Sequence, residues 1–70
     1  MDFIKEYSQN QFTIREKIAV FNGFLMAIDE YKVNPYKNYK YIKSALDGVR
    51  ESLEEIKKLN DLNEELIKNI

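Results

Sequence analysis

Between residues 14 and 28 the apolar side chains fall at Ile14, Ile18, Phe21, Leu25 and Ile28, spaced four, three, four and three apart. That alternation is the seam of a helix packed against another helix. A second stretch repeats it with Tyr39, Ile42, Leu46, Val49, Leu53 and Ile56. Between the two lies the only proline, in Val33-Asn34-Pro35. The residue before a proline is pushed out of the helical region, while proline suits the first turn of a new helix, with Asn34 as its N-cap. The sequence therefore predicts one helix over residues 2–32, a turn at 33–35 and a second helix over 35–69. Residues 1–70 form a single helical domain. No stretch alternates with period two, so no strand is expected.

Three places test the continuity of these helices. Ser8-Gln9-Asn10-Gln11 contains weak helix formers and offers a restart at Ser8 or Thr13, so the first helix is open to interruption near 8–13. Gly48 costs about 1 kcal/mol inside a helix, but Leu46 and Val49 keep the phase across it. Beyond Ile56 the strict pattern would land on Asn60 and Asn63, whereas the apolar residues are Leu59, Leu62 and Leu66. That slip predicts a stammer, or a break near Asn60-Asp61 with Asp61 and Glu64 as a capping box. Asn60 and Asn63 are expected in solvent, with a buried role in setting register as the alternative.

Two long helices joined by a short turn form an antiparallel hairpin. In the first helix Val20, Phe24, Ala27 and Tyr31 make a second stripe beside the seam, too wide a face for one partner helix. Gly23, within that face, is expected to allow close helix approach. A chain of 70 residues has a marginal core, and with no cysteine and no histidine it has neither disulfide nor zinc cluster to staple it. Well-packed long helices or self-association are the remaining routes. The expectation is a homodimer in which two hairpins form a four-helix bundle, with Val20, Phe24 and Ala27 at the dimer interface. In architecture alone this resembles the plasmid copy-number regulator Rop; no motif carries the likeness, and neither function nor residues transfer with it.

The opening MDFIKEYSQN has charges at Asp2, Lys5 and Glu6 and no apolar core, unlike a signal peptide. The longest apolar run, Ile18 to Ile28, is broken by Asn22 and Gly23 and is too short for a bilayer. A cytoplasmic location and no membrane partner are the expectations. Lys, Ile and Asn supply 24 of the 70 residues, a bias that suggests an AT-rich genome such as that of a low-GC bacterium or its phage.

Catalysis has little to stand on. No histidine can serve as a base near neutral pH and no cysteine as a nucleophile. The carboxylates Glu51, Glu54, Glu55, Glu64 and Glu65 lie off the apolar seam among lysines, and Glu54 to Lys58 has the favourable order of a solvated helix face. No glycine-rich phosphate loop is present. Neither an enzyme nor a bound cofactor or metal is expected.

One segment breaks the local rules. Residues 31–43, YKVNPYKNYKYIK, hold four tyrosines and four lysines and no acid, a formal +4 in a chain of net −1. Three of the lysines fall in the first turns of the expected second helix, where the helix dipole disfavours cations. Asp29 and Glu30 near the end of the first helix can offset this by pairing with Lys32, Lys37 or Lys40. Tyr39 lies on the seam and is expected in the core; Tyr36 and Tyr41 lie off it. Tyrosine is enriched at interface hot spots, so Tyr31, Lys32, Tyr36, Lys37, Lys40 and Tyr41 are the candidate partner-binding residues. The function expected is a small regulatory or inhibitory protein, phage or mobile-element encoded, that binds another protein stoichiometrically. The alternatives are a nucleic-acid-binding accessory, since interleaved aromatics and lysines suit single strands, and a structural assembly subunit.

Overall fold

The computed structural model describes residues 2–69, which form two helices, α1 (Phe3–Tyr31) and α2 (Tyr39–Lys68), joined by a turn. The helices pack antiparallel into a rod of 52 × 14 × 13 Å. The chain is thus an all-α helical hairpin, as its periodicity predicts, with no strand among the described residues.

Asp2 caps α1, its carboxylate accepting a hydrogen bond from the Lys5 backbone N–H at 3.3 Å. The helix then runs unbroken through residues 8–13. Thr13, a candidate restart, instead donates its hydroxyl to the Gln9 carbonyl (3.1 Å), a bond made within a continuing helix. The slip near Asn60-Asp61 likewise leaves α2 intact.

The turn is longer than expected. Helix α2 starts at Tyr39 with Asn38 as its cap, four residues beyond the predicted start, and Asn34 does not cap it. A single helical turn closes between the Asn34 carbonyl and the Asn38 N–H (3.0 Å). The Asn38 side chain donates back to the Tyr31 carbonyl at 3.3 Å, tying the start of α2 to the end of α1. This later start leaves Lys37 just outside the helix beside its N-cap, while Lys40 stays in the first turn, so both still lie at the positive end of its dipole.

The buried faces define the register. Most of the half-buried or buried residues fall on one stripe per helix, with Gln11, Thr13, Ala27 and Gly48 half-buried at the stripe edges. In α1 the stripe runs Phe3, Tyr7, Asn10, Ile14, Lys17, Phe21, Phe24, Ile28 and Tyr31; in α2, after the cap Asn38, it runs Ile42, Ala45, Val49, Ser52, Ile56, Leu59, Asn63 and Leu66. Both series alternate three and four without a slip, the a and d positions of a heptad. Ile14, Phe21, Ile28, Ile42, Val49 and Ile56 occupy a positions, as the expected seam has them. The expected partners Ile18, Leu25, Tyr39, Leu46 and Leu53 do not lie in the seam. They are exposed at the neighbouring e position, and d is taken by Asn10, Lys17, Ala45 and Ser52.

The seam therefore contains small and polar groups. Phe24 lies flat against Gly48, whose backbone it touches so closely that an added Cβ would stand 2.5 Å from the ring. Any larger residue there must displace the Phe24 ring. Gly23 has nothing within 4 Å of such a Cβ, so it mediates no close approach in the hairpin. Asn63, expected in solvent, is among the most buried residues. Its amide accepts from Asn10 Nδ2 at 2.9 Å and donates to the Tyr7 carbonyl at 3.3 Å. Lys17 reaches across to Glu55 at 2.7 Å; the hydrogen bond to Glu55, and then the charge of that carboxylate, raise the Lys17 pKa above its ordinary value.

Candidate functional site

The tip of the hairpin gathers all six candidate binding residues. Tyr31 ends α1 and stacks on Tyr41 from the first turn of α2, with ring centroids 5.3 Å apart and planes inclined by 24°. An offset stack of this kind contributes about 0.5–1.5 kcal/mol beyond its buried area. It clamps the turn on one side, while the Asn38–Tyr31 bond holds it on the other. The loop so pinned projects Tyr36 and Val33 into solvent, 95% and 85% exposed. Val33 was not among the candidates; its place before Asn34-Pro35, in a loop with no seam to join, was the available signal.

Charge at the tip is only partly neutralised. Lys32 pairs with Asp29 one turn earlier at 2.6 Å. Lys37, Lys40 and Lys43 form no ion pair among the described residues, and Glu30 does not reach across to them. The tip thus combines an exposed aromatic residue, Tyr36, with three lysines nearby in sequence that form no ion pair among the described residues.

The expected dimer stripe divides. Phe24 is committed to the hairpin through its contact with Gly48. Val20 is exposed and Ala27 half-buried at the g position, on one edge of the seam. That edge is also where Tyr41, Gly48 and Glu55 of α2 meet Tyr31, Phe24 and Lys17. Because those d-to-g contacts fix one edge, the e positions of both helices share the other. Along it the register sets Ile18 beside Leu53 and Leu25 beside Leu46, all exposed. Gln11 with Asn60 forms the one polar step before Ile4 and Ile67 near the open end.

No helix among the described residues is long and apolar enough to cross a membrane. Compared with known proteins, the chain matches no family model, no curated protein and no solved structure.

Proposed function

We propose that the protein is a small non-catalytic regulator or inhibitor, of phage or mobile-element origin, that binds another protein stoichiometrically through the hairpin tip. The observation carrying this reading is the exposure of Tyr36 and Val33 beside Lys37, Lys40 and Lys43, lysines without an ion-pair partner among the described residues. An exposed aromatic anchor with complementary charge around it is the composition of a binding hot spot. The partner that fits is a protein surface bearing an apolar pocket with carboxylates at its rim. The absence of histidine and cysteine supports the non-catalytic half of the reading.

The test replaces Tyr36 with Ala and Lys37 and Lys40 with Glu, leaving the Tyr31–Tyr41 stack in place. The variant should keep wild-type helicity and melting, yet lose the protein that crosslinks one-to-one with the wild type in cells. A variant that keeps its crosslinked partner shows that the tip is only a turn. Salt-sensitive binding of a single-stranded oligonucleotide, lost in the same variant, would move the reading to nucleic acid.

A further inference from the structure

The hairpin exposes more surface than a chain of its size normally does. Its accessible area is 5806 Å², against about 4,600 Å² for a compact monomer of 8.4 kDa. Its radius of gyration is 16.0 Å, where about 11 Å is usual for 70 residues. The excess of about 1,200 Å² is what one partner contributes to an obligate homodimer interface, whose total is about 2,000 Å² or more. Half of the exposed large apolar residues among those described lie on the e edge, where Ile18, Leu25, Leu46 and Leu53 form two adjacent layers near the middle of the rod.

A two-fold interface needs one patch that is complementary to itself, and a short apolar strip along a straight rod meets that need. Charge then selects between the two ways of laying one rod on the other. The tip carries Lys32, Lys37, Lys40 and Lys43 against Asp29 and Glu30, a formal +2. The open end carries Asp2, Glu6, Asp61, Glu64 and Glu65 against Lys5 and Lys68, a formal −3. Tips laid together would set like charges side by side; tips laid apart set each basic tip against an acidic end.

We infer that the e edge seats a second copy of this chain, docked antiparallel so that the tips point to opposite ends of a four-helix bundle. Ile18 and Leu53 of each copy then meet their own counterparts near the middle of the rod. The inference stands apart from the role of the tip, since both tips stay exposed.

Sedimentation of the full chain should give a dimer at micromolar concentration, and a monomer throughout that range would overturn the inference. Two variants locate the face. Leu25→Glu, on the e edge, should abolish the dimer. Val20→Glu, on the opposite edge at similar exposure (47% against 42%), should retain it; the reverse result would place the interface on the wrong edge. Since Leu25→Glu could unfold a chain that depends on dimerisation, a third measurement leaves every apolar residue in place. Spin labels on Tyr36→Cys should lie about 50 Å apart, close to the 52 Å length of the rod. A separation of about 20 Å, two helix diameters, would overturn the antiparallel arrangement.

Discussion

Along the seam Ala45, Ser52 and Asn63 are 5, 5 and 3% exposed, while along the e edge Leu25, Leu46 and Leu53 keep 42, 49 and 41% of their surface open. The most deeply buried positions carry small or polar side chains. The large apolar residues of the seam, such as Phe21, Ile42 and Leu59, are half-buried, and the leucines of the e edge stay exposed. In a protein whose folded unit is one chain the opposite is expected, because burying a leucine stabilises by about 1.5–3 kcal/mol and burying an amide requires a partner for each polar group. The seam is built for closeness and register: glycine beneath Phe24, an amide pair at Asn10 and Asn63. The e edge holds apolar area that the hairpin covers only in part, and its full contribution to stability needs something to cover the rest.

The largest expected effect breaks that comparison directly. If the e edge is covered in solution, Leu53→Ala should cost about 2–5 kcal/mol per chain, as a core leucine does. Melting would then depend on protein concentration. Met26→Ala, at a fully outward position, should stay within about 0.5 kcal/mol. Denaturant titrations of both variants at two concentrations decide it. Equal, small effects would mean that the edge is open.

Much of the architecture was legible in the sequence, and the part that was not has a definite cause. In a heptad the step from a to e and back alternates four and three, as the step between d and a does. Spacing alone cannot separate an a/e stripe from an a/d seam. Ile18, Leu46 and Leu53 are more apolar than their neighbours Lys17, Ala45 and Ser52, and Leu25 keeps their phase where Phe24 does not, yet the seam runs through Lys17, Phe24, Ala45 and Ser52. The slip near Asn60 has the same origin. Leu53 is an e residue and Leu59 a d residue, so the pattern seems to jump while the helix does not. Asn63 fell on the seam but was read as solvated because its partner, Asn10, is 53 residues away. The tip was legible because its signal is compositional, a run of tyrosines and lysines with no acid, and does not depend on register.

The next effect sharpens the reading of the seam. Asn63→Ala removes the acceptor of Asn10 and the donor to the Tyr7 carbonyl, leaving buried polar groups unpaired at a cost of about 1–3 kcal/mol. Replacing Asn10 and Asn63 together with Leu should recover that loss, because no orphaned amide remains. The double variant should also populate more than one oligomer or register, since a buried asparagine pair specifies alignment at some cost in stability. Chemical denaturation reads the first effect, and native mass spectrometry reads the second. A double variant as unstable as Asn63→Ala would show that the amides fill space and set nothing.

The smallest effects come from the two glycines, which sit in comparable helical backbone and differ only in what faces them. Alanine at either position gains about 1 kcal/mol of helix propensity. At Gly48 that gain is opposed by the Phe24 ring, 2.5 Å from the new Cβ, and displacing a packed ring costs about 1–3 kcal/mol. Gly48→Ala should therefore destabilise by about 1 kcal/mol net, and the same change made in a Phe24→Leu background should turn stabilising. At Gly23 nothing stands within 4 Å, so the propensity gain goes unopposed. Gly23→Ala should raise the melting temperature by roughly 4–8 °C, the shift that 1 kcal/mol produces in a domain of this size. It should do so without changing the oligomeric state, because the position lies away from both the seam and the e edge. A Gly23→Ala protein that melts lower than the wild type would mean that a surface open in the hairpin is covered in solution, on the side of Val20 and Ala27.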